Sequence, residues 1–79
     1  MSEQELSQHE TIAEMTNTIA WHQQLIQQNQ DVIAAEYLSL NPDIDKIGAC
    51  KEEVWFHTYQ VKIYVAALVE KHLSELLKI

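Results

Sequence analysis

Four residues of this chain place polar chemistry in an apolar setting: His22, Asn29, His57 and Tyr64. His22 and Asn29 fall inside "IAWHQQLIQQNQDVI", residues 19–33, midway between Ile19, Ile26 and Ile33. At helical periodicity they lie near the middle of an apolar face and not at its rim. His57 holds the matching place between Val54 and Val61. Imidazole and amide groups so placed suit three tasks: ligating a metal, lining a small-molecule cavity, or fixing the register of a helical seam.

Metal ligation is the least supported of the three. Helical metal sites bring several ligands to one face, commonly as H-x3-H or E-x2-H, and neither pattern occurs here. Glu53 and His57, like Glu5 and His9, stand four apart, the spacing of an ordinary helix-surface hydrogen bond. A ligand cavity has more in its favour, because Trp21, Trp55, Phe56, Tyr59 and Tyr64 supply aromatic walls near both central histidines. The same aromatic residues equally mark a protein interface. Register fixing is the reading adopted, since a buried polar residue in a coiled-coil core disfavours every alignment that leaves it unpaired. No metal and no cofactor is expected.

Catalysis is not expected either. The chain has no Gly-rich loop, no nucleophile elbow, and no Ser or Cys with a recognisable base and acid. Cys50, the only cysteine, lies on an apolar stripe and reads as a small core residue.

The elements that must position these residues are helices. With one Gly (Gly48) and one Pro (Pro42), the chain lacks the frequent turns that a β-rich fold requires. "SEQE" and "SQHE" near the N-terminus both fit a capping box, so helix 1 is predicted from about residue 3 to about residue 40. Pro42 then ends it, with Asn41 as the N-cap and Pro42 as the first residue of helix 2, predicted over about 43–78. Gly48 is the one position where helix 2 is expected to weaken. A turn at 41–42 makes the helices antiparallel neighbours, so residues 1–79 form a single helical-hairpin domain, all-α.

Ile12, Ile19, Ile26 and Ile33 repeat every seven residues, and Ile47, Val54, Val61 and Leu68 continue the repeat. That period predicts a coiled-coil-like heptad seam. Folding about residues 41 and 42 sets Asn29 level with Val54, and His22 level with Val61 and Tyr64. A polar ladder of His22, Asn29, His57 and Tyr64, with Glu36 at the same spacing, is the expected result. Helix 2 carries a further apolar side through Phe56, Tyr59 and Ile63, which one hairpin cannot bury. Dimerisation into a four-helix bundle is the predicted remedy.

Charge narrows the function. The net charge is −7, and every cationic residue is a lysine. Phosphate recognition needs clustered Arg and Lys, so direct nucleic-acid binding is not expected. The acidic, polar N-terminus is unlike a signal peptide, and the longest apolar run, "IYVAALV" (residues 63–69), is too short for a membrane span. With no cysteine pair, a reducing, cytoplasmic location is expected. The resulting expectation is a non-enzymatic protein-interaction module, a small acidic adaptor, inhibitor or regulator. It self-associates through the Ile/Val seam and binds a larger protein through Trp21, Trp55, Phe56, Tyr59 and Ile63. The alternative is a small-ligand sensor with an aromatic, histidine-lined cavity at the oligomer interface. Protonating a buried His22 or His57 is expected to weaken association in acid.

Overall fold

The computed structural model describes residues 10–78, which form two helices and no strand: α1, Ile12–Tyr37, and α2, Ile44–Leu77. The helices pack along one another as a hairpin, 60 × 17 × 14 Å.

Helix α1 starts at a capping box that differs from the two expected ones. Thr11 is extended (φ −77°, ψ 162°), and its hydroxyl oxygen accepts from the Glu14 backbone N–H at 3.1 Å. The same hydroxyl donates to Glu14 Oε1 at 3.0 Å. "TIAE" thus satisfies an orphan donor at the helix start and puts a carboxylate at the positive pole. The extended backbone at Thr11 rules out one helix running unbroken from about residue 3. The capping boxes at Ser2 and Ser7 lie outside the described residues.

The other end of α1 also stops short of prediction. The Leu38 and Ser39 backbone N–H groups close the last turn onto Ala34 and Glu36 carbonyls, and the Ser39 hydroxyl donates to the Glu36 carbonyl. Leu38 and Leu40 are almost fully exposed, so extending the helix through them would bury nothing. The connection therefore spans residues 38–43 and is longer than a turn at 41–42.

Asp43, not Asn41, caps α2. Its side chain accepts from the Lys46 N–H at 3.0 Å, which leaves Pro42 outside the helix. Glu36 fastens the connection from the other side. One carboxylate oxygen accepts from the Asp43 N–H at 3.0 Å, and the other lies 3.4 Å from Lys46 Nζ. Lys51 adds a second tie, donating to the Tyr37 hydroxyl at 2.9 Å. Beyond its cap α2 runs without interruption through Gly48, whose φ is not positive.

The core is thin. Met15, Ile47 and Ala67 are the buried apolar residues among those described. Met15 and Ala67 form a plug far from the connection, with Ile63, Tyr64 and Leu68 packed around it. His22 and His57 are the buried polar residues. Met15 and His22 belong to one seven-residue row with Asn29 and Glu36, and this row runs along the middle of the contact face. The isoleucine row lies beside it: Ile12, Ile19, Ile26 and Ile33 are only half-buried, as are Val54, Val61 and Leu68 on α2.

Candidate functional site

The chain's two central histidines meet. His22 Nδ1 and His57 Nδ1 are 2.7 Å apart in the buried middle of the hairpin, with ring centroids 4.9 Å apart. His22 therefore faces His57, and Tyr64, expected level with His22, lies beside it.

A third group determines how the protons are placed. Glu53, one turn before His57 on α2, lies with Oε2 3.2 Å from His57 Nε2. A carboxylate accepts, so Nε2 of His57 carries the hydrogen and its Nδ1 presents a lone pair. His22 must then donate Nδ1–H across the helix interface, and its own Nε2 is left as the basic nitrogen. This assignment satisfies all three groups, and no buried side-chain polar atom among the described residues lacks a partner.

Aromatic rings enclose the pair. Trp21 presents T-shaped contacts to both imidazoles, with centroids 4.8 Å from His22 and 5.9 Å from His57. Phe56 meets His57 edge-on at 5.2 Å, and the Tyr64 ring lies 6.1 Å from His22. Burial among these rings lowers the pKa of His22 below the ordinary imidazole value, and the neighbouring His57 lowers it further. Tyr64 donates its hydroxyl to Glu10 Oε1 at 3.3 Å. Burial raises the Tyr64 pKa, and the Glu10 carboxylate beside it raises it again through charge and the hydrogen bond.

The remaining polar candidates do not join this cluster. Asn29 donates from Nδ2 to the Leu25 carbonyl of its own helix at 2.8 Å, so it makes no rung between helices. Glu36 lies at the connection, as described. The expected four-membered ladder thus shortens to the His22–His57 pair, with Tyr64 beside it and tied to Glu10.

The expected partner-binding residues separate into two groups. Trp55 and Tyr59 stack in parallel on α2, centroids 5.9 Å apart with a 7° interplanar angle, and both are exposed. Trp21 and Phe56 are about half exposed while also edging the histidines. Ile63 instead packs against the Met15–Ala67 plug. A groove of about 310 Å³ lies elsewhere, lined by Ile12, Leu68, Val69, His72 and Leu73. Apart from His72 its lining is aliphatic, and it does not include the central pair.

The pair offers two converging nitrogens, fewer than the three or four protein ligands that zinc takes. Among the described residues no three His, Cys, Asp or Glu side chains group in a way that would hold a metal. No helix among them is long and apolar enough to cross a membrane. Compared with known protein families, curated proteins and solved structures, the chain matches none.

Sequence reasoning missed three of these groups. Glu53 looked like half of a routine surface pair, yet it fixes the His57 tautomer. Thr11 and Glu14 carried a readable T-x-x-E signal, which the two serine boxes upstream obscured. Glu36 was placed at the ladder's spacing, but its pairing with Lys46 gave no local signal, because it depends on where the connection turns.

Proposed function

We propose that this chain is a non-enzymatic protein-interaction module that self-associates, its first partner being a second copy of itself. One observation carries this reading: Ile12, Ile19, Ile26 and Ile33, with Val54 and Val61, are only half-buried on one flank of the hairpin, and α2 exposes further apolar side chains on its far side. At 100° per residue, Trp55, Tyr59, Ala66 and Leu73 project away from the side that carries His57. Trp55 is 71% exposed, Tyr59 51% and Leu73 54%. The corresponding side of α1 holds Ala13, Ala20, Gln24, Gln27 and Ala34, which suit water. Exposed apolar side chains grouped in this way commonly meet a further partner.

The half-buried aliphatic face is where a second copy fits. Ile12, Ile19, Ile26 and Ile33 of α1 fall on the same flank of the hairpin as Val54, Val61, Val65 and Val69 of α2. The hairpin's broad side, 60 × 17 Å, is comparable to the roughly 800 Å² that each partner contributes to a standard interface. Covering it would give the four-helix core that a chain with so few buried apolar side chains lacks. The stacked Trp55 and Tyr59 remain outward for a larger protein, which the assembly binds and regulates as an adaptor or inhibitor. Net charge −7 without arginine argues against nucleic acid as that partner.

Light scattering with native mass spectrometry tests the reading. A dimer without extra mass is the expected result. A monomer at tens of micromolar would overturn self-association, and a retained small molecule would favour a ligand-binding role instead.

A further inference from the structure

We propose that the His22–His57 pair is a proton-sensitive clasp: it holds the two helices together while it carries at most one extra proton, and it opens when a second arrives. The basis is geometric. Two Nδ1 atoms at 2.7 Å can share one hydrogen but not two.

In the neutral pair, His22 donates Nδ1–H to His57, and His57 donates Nε2–H to Glu53. The first added proton goes to the free lone pair, Nε2 of His22, and the shared hydrogen passes to Nδ1 of His57, so that the positive ring is the one beside Glu53. The Nδ1–H···Nδ1 bond survives this step, now as a charge-assisted bond. The second proton can go only to Nδ1 of His22, and it sets two N–H groups head to head between two positive rings. The bond that joins α1 to α2 at mid-length then becomes a repulsion in a buried setting.

The surroundings do little to offset that charge. Between Glu14 and Asp31, α1 carries no charged residue, and His22 is its only titratable group there. Thr18, Ile19, Trp21, Leu25 and Ile26 flank it instead. From α2, the titratable groups facing the pair are Glu53 and Tyr64, and Tyr64 is engaged with Glu10. Glu53 touches His57 but is largely exposed, so surrounding water screens its charge. One screened carboxylate balances one imidazolium, not two.

The direction of the pH effect follows. Native His22 binds its proton less readily than the same residue in the unfolded chain, whose pKa is near 6.5. The stability it contributes is complete above that value. It falls as pH drops through 6.5 toward the lower native value. Among the described residues the other histidine, His72, is exposed and does not share this geometry; His9 lies outside them.

The test is an imidazole ¹⁵N NMR titration of the whole chain, with thermal melts at matched pH and fixed protein concentration. His22 is expected to titrate below the ordinary imidazole value, with loss of the folded spectrum accompanying that step. The melting temperature should drop by about 5 °C or more between pH 7 and pH 5. The double variant His22→Leu/His57→Leu should keep its melting temperature nearly constant over that range while retaining His9 and His72. Titration of His22 near the ordinary value, with the fold intact, would overturn the clasp. So would a double variant that melts with the wild-type pH dependence. Should the double variant not fold, the wild-type titration decides alone.

Discussion

Two rows of α1 repeat every seven residues, and they occupy opposite kinds of place. Ile12, Ile19, Ile26 and Ile33 have the composition of a core, yet they lie half-exposed along the flank of the hairpin. Met15, His22, Asn29 and Glu36 are mostly polar, yet they run along the middle of the contact, and the first two are buried. The apolar arc of α1 has the isoleucines on one side and Leu25 and Val32 on the other, so its centre falls on the row between them. A single partner helix contacts that centre best and leaves the flanks partly uncovered. The aliphatic flank is where the proposed second layer would sit, while the polar row concerns the hairpin itself.

Substitutions along the central row should separate its apolar part from its polar part. Met15→Ala removes the plug against Ala67 and should cost about 2–5 kcal/mol in chemical denaturation, the usual range for a buried large-to-small change. Unchanged stability would mean the plug is dispensable. His57→Leu leaves the Nδ1–H of His22 buried without an acceptor and should cost about 1–3 kcal/mol at pH 7. The double variant His22→Leu/His57→Leu should recover most of that loss at the same pH, because both polar partners are gone. Additive losses in the double variant would show that the two rings do not act as a pair.

Smaller effects sharpen the same picture away from the centre. Thr11→Ala removes the N-cap of α1 and should cost about 1 kcal/mol, visible as reduced helicity by circular dichroism. Gly48→Ala should stabilise by roughly 0.5–1 kcal/mol, since Gly48 is exposed, helical and has open space where a Cβ would go. A loss there would mean that another chain approaches the Gly48 backbone closely.

The hairpin was legible in the sequence because its signals are local and strong: helical periodicity, a single proline and scarce glycine. The polar positions within the apolar face were legible for the same reason. What escaped depends on register and rotamer. Pairing His22 with His57 requires knowing where the connection ends, and that turned on Asp43 and Glu36 outcompeting Asn41 and Pro42. Asn29 sits where a rung was expected, but its amide reached the Leu25 carbonyl of its own helix, a choice that spacing cannot reveal. Whether an isoleucine row lies at the centre or the flank differs by a fraction of a turn, finer than a heptad count resolves.

The most direct test compares the two sides of α1 by light scattering at matched concentrations. Ile26→Glu places a charge on the aliphatic flank, and Gln24→Glu places the same charge on the exposed opposite side. The predicted result is a wild-type dimer, a dimeric Gln24→Glu variant and a monomeric Ile26→Glu variant. A dimer that survives Ile26→Glu would contradict the claim that this flank receives the second copy.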